Sequence, residues 1–251
     1  MAGVIERVAM VAMHSSPAAQ PGTADAGGLN VSVMGLAEQL ASRGIQIDLV
    51  TRAQGAPAIT ELRPGIVLHE LEAGQRGPLP KQRLSEVTDE FGEGVARLAR
   101  ARGYDLIHAH YWLSGIASLP VSIELGVPLV QSFHTVAAMK NESMPEGDEP
   151  LIRVRSESFI ARQADAIIAV SSAEATALID SVGAPADRTW IIPPGVDAEL
   201  FSPKSAAAHD RVRRSLVFEP DRPLVVIAGR VQPLKGHELA VRALAELRAL
   251  R

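Results

Sequence analysis

Cysteine is absent from this sequence of 251 residues, which removes several kinds of chemistry at once. Without thiols the chain can form no disulfide, no thiolate metal site and no cysteine nucleophile. Long apolar runs are also scarce near the N-terminus, where residues 8–13 are far too few to span a membrane and follow no basic leader of the signal-peptide type. We therefore predict a cytoplasmic protein without a membrane span, in keeping with a reducing compartment.

An excess of positive charge is missing as well. The chain has 25 Lys and Arg residues against 29 Asp and Glu residues, a net charge of -4 and a pI near 6.0. This balance gives no electrostatic reason to expect nucleic acid as a partner. An anionic ligand would have to be bound by local basic groups.

What the sequence does contain is an alternation of short apolar runs with helical periodicity. Hydrophobic residues make up 47% and charged residues 22%, as in an α/β globular protein. Predicted strands cover 7–13, 45–51, 66–71, 105–109, 128–133 and 166–170, and 191–192 closes the series. Predicted helices cover 31–42, 85–102, 114–125, 151–163 and 173–181, with Asn30 as a helix N-cap and Gly44 as a stop. The pattern predicts a mostly parallel sheet with helices on both faces.

A change of composition at Pro193-Pro194-Gly195 indicates a linker between domains. Beyond it, a strand is predicted over 224–229 and a helix from Gly236 onward. We predict a first domain over 1–194, a linker over 195–204 and the start of a second domain over 205–251. Because a Rossmann-like domain needs ~150 residues, the second domain is expected to be truncated.

A glycine-rich loop, Gly22–Asn30, separates the first predicted strand from the first predicted helix. Backbone N–H groups at a helix N-terminus favour anionic oxygens, and Gly27 and Gly28 would let a ligand approach closely. The loop lacks the GxGxxG pattern, which argues against a dinucleotide. From the glycines alone, a phosphate site and a flexible surface loop are equally good interpretations.

Polar residues end two of the predicted strands, in His108–Trp112 and Ser132–Val136. Open α/β sheets bind ligands at the carboxyl ends of their strands. His108 and His110 would share one face of a strand, but no third ligand is evident nearby, so we predict no metal site. Core or helix-capping histidines are the alternative to a ligand site.

A third candidate is Gly229–Gly236, where Arg230 and Lys235 lie between a predicted strand and a predicted helix. Two cations in such a loop can clamp a diphosphate. A solvated basic pair is the better interpretation of this segment in isolation.

Taken together, the separated stretches resemble retaining glycosyltransferases of family 4. They are His14-Ser-Ser-Pro17, Gln20-Pro-Gly-Thr23 with Gly27-Gly28-Leu-Asn30, Tyr104–Gly115, His134–Asn141, Pro194-Gly-Val-Asp197 and Gly229–Gly236. They occur in one order along almost the whole chain, and the likeness is greatest to the branch of the family that starts mycothiol biosynthesis. The resemblance implies a GT-B architecture, in which a Rossmann-like N-terminal acceptor domain faces a nucleotide-sugar domain that begins at 205–251.

The resemblance also implies a reaction and its residues. A hexosyl group, N-acetylglucosaminyl, would pass with retention from a UDP-sugar, which is a substrate and not a cofactor, to a phosphorylated polyol such as inositol phosphate. The implied catalytic residue is His134, facing the transferring sugar. The implied donor-binding residues are His14, Gly27, Gly28, Arg230 and Lys235, and the implied acceptor-binding residues are Asn30, Lys81, Tyr111, Thr135 and Arg153. Two alternatives stay open here, since Arg83 could replace Lys81 and Arg155 could replace Arg153.

Other interpretations of the whole chain also stay open. One is a truncated, non-catalytic fragment that only binds a phosphorylated acceptor. Another is a related transferase of the sucrose-phosphate or phosphoinositide mannosyl type. An unpaired strand edge and an apolar helix face near the C-terminus favour self-association, and a homodimer is one form that this would take.

Overall fold

A single sheet organises the first part of the chain in the computed structural model, which describes residues 4–20, 22, 27–143, 149–216, 223–229, 231 and 235–249. Its strands are β1 (Arg7–Val11), β2 (Gln46–Arg52), β3 (Ala58–Arg63), β4 (Ile66–Leu71), β5 (Leu106–His110), β6 (Leu129–Ser132), β7 (Ala166–Ala169) and β8 (Thr189–Ile191). They lie in the order β3-β4-β2-β1-β5-β6-β7-β8. Every neighbouring pair is parallel except β3 with β4. The predicted mostly parallel sheet is therefore confirmed.

Helices connect the strands. The α-helices are α1 (Gly28–Ala41), α2 (Thr88–Arg102), α3 (Trp112–Leu125), α4 (Ala137–Ser143), α5 (Leu151–Gln163), α6 (Ser172–Ala177), α7 (Ala206–Ser215) and α8 (His237–Ala249). A 3-10 helix (Lys81–Val87) leads into α2, and a π-helical turn (Leu178–Val182) extends α6. Among the described residues, no helix is long and apolar enough to cross a membrane.

The central strand β1 shows why the sheet is covered on both faces. Its side chains alternate between two apolar clusters: Ala9 and Val11 belong to the larger cluster, and Val8 and Met10 to the smaller one. The strand is apolar from Val8 to Val11 because neither face of this part meets water. The larger cluster includes residues of α2, α3 and α5, and the smaller one includes residues of α1.

The structure departs from the sequence predictions in particular places. Strand β3 was not predicted because it is an exposed edge strand with charged residues and no apolar run. Helices α4 and α7 were also not predicted. The prediction of Asn30 as an N-cap is wrong, since α1 begins at Gly28, two residues before Asn30, and Gly27 is its N-cap. Gly44 follows the end of α1 with a φ of 89°, a conformation that glycine adopts readily.

Close contacts divide the chain into two units, Met1–Gly195 and Val196–Arg251. In the second unit, the strand predicted over 224–229 is wrong: the described residues 223–229 form no strand and are exposed. A strand needs a partner for its backbone N–H and C=O groups, and no strand is present among the described residues of this unit. The helix predicted from Gly236 onward is present as α8.

In the first unit, helices α2 and α3 pack closely at a glycine. A Cβ atom built on Gly92 would lie 2.8 Å from the backbone oxygen of Ala117, a distance that real Cβ atoms do not show. By contrast, a Cβ on Gly35, in the exposed part of α1, would meet nothing within 4 Å. A neighbouring helix therefore leaves no room for a side chain at Gly92, whereas the exposed Gly35 has room for one.

We expect Gly92→Ala to destabilise the protein by about 1–3 kcal/mol, because one helix must move away from the other. The matched change Gly35→Ala is expected to stabilise it by about 0.5–1 kcal/mol through the better helix propensity of alanine. Denaturant unfolding followed by circular dichroism measures both. Equal stability of the two variants would contradict the close α2–α3 contact.

A buried carboxylate, Asp48, lies on β2 near the amino-terminal edge of the sheet. Asp48 accepts hydrogen bonds from Arg102 Nε at 2.7 Å and from the Tyr104 hydroxyl at 2.8 Å, and His69 Nε2 lies 3.2 Å from its Oδ1. Burial raises the pKa of Asp48, but these three partners outweigh it and lower the pKa from 3.8 to about 2. The depressed pKa means that folding favours the charged form.

We expect Asp48→Asn to lower the free energy of unfolding by on the order of 2 kcal/mol near neutral pH. A depressed pKa contributes stability that is present above the unfolded-state value and is lost as the pH falls through the folded-state value. The difference between wild type and variant should therefore shrink as the pH falls from 3.8 to about 2. The exposed Asp187→Asn serves as the control, with little effect at any pH; a pH-independent difference for Asp48→Asn would contradict the assignment.

Candidate functional site

The site lies at the carboxyl edge of the sheet, where the strand order reverses. Strands β1 and β5 are neighbours, yet the chain reaches β2 on one side of β1 and β6 on the far side of β5. Connections that leave two adjacent parallel strands in opposite directions open a crevice between them. His14 follows β1, Tyr111 follows β5, and His134 and Thr135 follow β6.

Two residues at these strand ends have unusual backbone conformations. Tyr111 has a φ of 73° and His134 a φ of 60°, and these are the two positive φ values among the described non-glycine residues. Such conformations cost on the order of 1–3 kcal/mol each and are concentrated at functional sites. Tyr111 is held by its backbone N–H, which donates to the oxygen of Ser132 at 2.8 Å. A contact with the end of β6 therefore maintains the strained backbone at Tyr111.

Two cationic side chains lie over the ring of Tyr111. Lys81 Nζ lies 4.8 Å and Arg153 Cζ 5.0 Å from the ring centroid. Arg153 Nη2 donates to the backbone oxygen of Thr135 at 2.7 Å and to its Oγ1 at 3.1 Å. The structure thus brings together four of the predicted acceptor-binding residues from a 3-10 helix, a strand end, a loop and α5.

The geometry also separates the alternatives that the sequence left open. Arg155 is exposed, whereas the side chain of Arg153 is only 2% exposed and points at Thr135. Arg83 pairs with Glu86 at 3.0 Å, whereas Lys81 lies over Tyr111. Their positions over Tyr111 favour Arg153 and Lys81 as acceptor-binding residues over Arg155 and Arg83.

An arginine on β2 fixes the segment that leads to Lys81. The Arg52 guanidinium donates to the backbone oxygens of Ala73 at 2.8 Å, Gln75 at 2.5 Å and Gly77 at 3.0 Å. Three carbonyl contacts from one planar group hold the turn before the 3-10 helix. Sequence analysis did not identify Arg52, because its role depends on a turn distant in sequence.

Two carboxylates that the sequence analysis also missed accompany Arg153. Glu157 Oε1 accepts from Arg153 Nε at 2.7 Å, and Glu149 Oε2 lies 2.9 Å from Arg153 Nη1. Glu149 also pairs with Lys140 Nζ at 2.5 Å. Burial raises the pKa of Glu149, but Lys140 and Arg153 outweigh it and lower the pKa. The spacing of four residues between Glu149, Arg153 and Glu157 was the available signal, although Glu149 itself precedes α5.

Four histidines line the same crevice. The ring centroids of His14 and Tyr111 are 4.4 Å apart, and those of His108 and His110 are 4.1 Å apart. His110 Nδ1 and His134 Nε2 form a hydrogen bond of 3.0 Å. Among the described residues, no group of three or more suitable side chains could hold a metal ion.

Burial keeps these imidazoles neutral. It lowers the pKa of His14 to about 3, with a further contribution from the charge of Lys81, and it lowers the pKa of His108 to about 3. It lowers the pKa of His134 to about 4 and that of His110 well below its usual range. Near neutral pH the positive charge at Tyr111 therefore comes from lysine and arginine side chains.

The glycine loop is tied to the same place through Asn30. This buried side chain accepts from the backbone N–H of Gly27 at 3.0 Å and donates to Ser15 Oγ at 2.8 Å and to the Ser16 oxygen at 2.6 Å. A Cβ on Gly27 or Gly28 would meet nothing within 4 Å among the described residues, and neither glycine has a positive φ. The described part of the protein thus gives no internal reason for glycine at either position.

The remaining two predicted donor-binding residues belong to the second unit. Lys235 is exposed and precedes α8. Arg230 lies outside the described residues.

Comparison with known proteins finds relatives of one family. Residues 26–200 match Glycosyltransferase Family 4. The chain is 44% identical over 247 residues to the D-inositol 3-phosphate glycosyltransferase of Acidothermus cellulolyticus, covering 96% of this chain and 54% of the relative. The enzyme of the same name from Thermobifida fusca is 44% identical over 248 residues, covering 96% and 56%. This chain thus spans about half the length of the curated relatives that it matches.

Solved structures give the same fold. A sucrose-phosphate synthase from Thermosynechococcus elongatus superposes with a TM-score of 0.86 at 30% identity, covering 96% of this chain and 60% of that one. The Anabaena protein HepE, in complex with UDP-glucose, superposes with a TM-score of 0.67 at 19% identity, covering 96% and 57%. The predicted Rossmann-like α/β fold of the GT-B class is confirmed. On the family match and the sheet that carries it, this chain belongs to glycosyltransferase family 4.

Proposed function

We propose that the first unit binds the phosphate of a phosphorylated polyol, and that the protein transfers a hexosyl group to that polyol from a UDP-sugar with retention. The observation that carries the proposal is the pair of cations, Lys81 and Arg153, which both lie over the ring of Tyr111, with the Thr135 hydroxyl beside Arg153. Two cations and two hydroxyls suit a dianionic phosphate. Their place at the switch point of the sheet suits a ligand.

Inositol phosphate is the proposed acceptor. Relatives at 44% identity are named D-inositol 3-phosphate glycosyltransferases, and identity at this level extends over 96% of this chain. The proposed donor is UDP-N-acetylglucosamine, and the proposed role is in mycothiol biosynthesis. A sugar phosphate such as fructose 6-phosphate is the second candidate acceptor, favoured by the TM-score of 0.86 with a sucrose-phosphate synthase.

The proposed reaction has a simple balance. The bond between the anomeric carbon and the β-phosphate oxygen of UDP breaks, and a bond to an acceptor hydroxyl oxygen forms on the same face of the sugar. The hydroxyl proton goes to the departing UDP. His134 would contact the transferring sugar, and His14 with Gly27 and Gly28 would line the donor.

Charge on the departing group grows during this reaction, and cations can stabilise it. Arg230 and Lys235 of the second unit are the proposed cations. Residues 1–194 would bind the acceptor, 195–204 would be the linker, and 205–251 would belong to the donor-binding domain. A cytoplasmic location and a homodimer stay predictions.

Substitution of Lys81 and of Thr135 tests the proposed acceptor site. We expect Lys81→Ala and Thr135→Val each to weaken binding of inositol phosphate by about 10-fold or more, since a charge-assisted hydrogen bond contributes about 1.5–3 kcal/mol. Arg83→Ala is the matched control, because this arginine is close in sequence but paired with Glu86. Isothermal titration calorimetry on the chain measures all four proteins.

Equal affinities for wild type, Lys81→Ala and Thr135→Val would remove the acceptor assignment. The same titration with fructose 6-phosphate separates the two acceptors, and tighter binding of that ligand would remove the inositol interpretation. Unphosphorylated inositol should bind weakly, since the site is built around charge.

The pH dependence of binding tests the neutral histidines. A phosphate monoester gains its second charge near pH ~6, and the crevice histidines have pKa values of about 3 to about 4 where a value is given. We therefore expect affinity for inositol phosphate to rise between pH ~5 and ~7.5, with the ionisation of the phosphate. Calorimetry across this range would contradict the neutral cluster if affinity instead increased on acidification.

A further inference from the structure

The contact between His110 and His134 restricts where each ring carries its proton. Their Nδ1 and Nε2 atoms are 3.0 Å apart, so one of the two must donate and the other accept. His110 is 2% exposed, and its second nitrogen, Nε2, is buried without a hydrogen-bond partner among the described residues. Two arrangements of protons are possible in principle, and they differ in what they leave at that buried nitrogen.

In the first arrangement, His134 donates from Nε2 to His110 Nδ1. The proton of a neutral His110 would then be on Nε2, as a buried N–H without a partner. In the second arrangement, His110 donates from Nδ1, and its Nε2 carries only a lone pair. Unpartnered buried N–H groups are rarer in proteins than under-satisfied acceptors, so the second arrangement is favoured.

The second arrangement also fixes His134. When Nε2 of His134 accepts a hydrogen bond, the proton of the neutral ring must be on Nδ1. We infer that His110 is a positioning residue that holds His134 as the Nδ1–H tautomer, so that His134 offers its ligand a hydrogen-bond donor and no free basic nitrogen. The ligand group that it selects is an oxygen acceptor, either a hydroxyl or a phosphate oxygen.

Other features of the molecule agree with this assignment. Burial lowers the pKa of both rings, so each is neutral and the proton arrangement above applies. His134 has a φ of 60°, and His110 ends β5 within the sheet. A ring on a strained loop is thus tied to a rigid strand, which is how a precise donor is positioned.

The inference rests on the proposed function only for the identity of the ligand that receives the N–H. In that setting His134 cannot take the proton of the acceptor hydroxyl through Nε2, because that nitrogen is already engaged. The proton must therefore leave by another route, such as the departing phosphate.

Nuclear magnetic resonance of the ligand-free chain with 15N-labelled histidine tests the tautomers directly. The chain has 7 histidines, and single substitutions assign the ring signals. We expect long-range proton–nitrogen correlations to show both His110 and His134 as Nδ1–H tautomers. A proton on Nε2 of His134 in the wild-type protein would overturn the inference.

Two variants, one without the donor and one control, extend the test. His110→Phe keeps an aromatic ring but removes the Nδ1–H donor. We expect His134 then to revert mainly to the Nε2–H form that free histidine prefers. Ser132→Ala removes the partner of the neighbouring His108 and should leave His134 unchanged. An unchanged tautomer of His134 in His110→Phe would also overturn the inference.

If His110→Phe does not fold, the wild-type spectrum still decides, because it reports both rings. The measurement needs no ligand, so it is independent of the calorimetry above. Loss of the proposed acceptor would leave the tautomers as they are, and a wrong tautomer would leave the acceptor site intact.

Discussion

The adjacency of two parallel strands with diverging connections is the constraint on which the rest of this structure depends. Because β1 and β5 pair along Val8–Val11, their following segments must separate at the carboxyl edge and leave a crevice. The sheet is buried on both faces by helices, so this edge is where polar groups of the loops can meet a ligand. Tyr111, His134 and Thr135 reach the crevice only because β5 and β6 end there in register.

Burial then determines the chemistry of the crevice. Burial against the apolar sheet lowers the pKa of the histidines, so their rings are neutral near pH ~7. The positive charge of the site therefore comes from Lys81 and Arg153. Arg153 remains charged in a buried position because Glu157 and Glu149 lie beside it. The overall charge of -4 is therefore compatible with a local site for an anion. The paired carboxylates also hold the buried arginine in one orientation.

Membership of glycosyltransferase family 4 gives this geometry its context. The described contacts concern the first unit, while the donor interactions proposed for Lys235 belong to the second unit. The chain spans 54% of one curated relative and 56% of another. The residues of the proposed acceptor site thus all belong to the first unit.

Sequence alone determined the alternation of strands and helices, because apolar periodicity reflects which faces are covered. It indicated the parallel sheet and the family to which the chain belongs. It did not predict strand β3, whose polar residues lie at an exposed edge. It wrongly predicted a strand at 224–229, where the described part of the second unit offers the apolar residues no partner strand.

Only the tertiary structure decided which of several plausible side chains meet. The sequence indicated Arg153 with Arg155 as an alternative, and the structure buries Arg153 and leaves Arg155 exposed. The sequence predicted Asn30 as a helix cap and a ligand contact. In the structure its side-chain amide forms hydrogen bonds with Gly27, Ser15 and Ser16. The pairing of His110 with His134 could not be foreseen, because it joins residues 24 positions apart whose distance is set by the register of β5 with β6. Periodicity is a local property that the chain carries along its length, whereas contact between strand ends exists only once the sheet has formed.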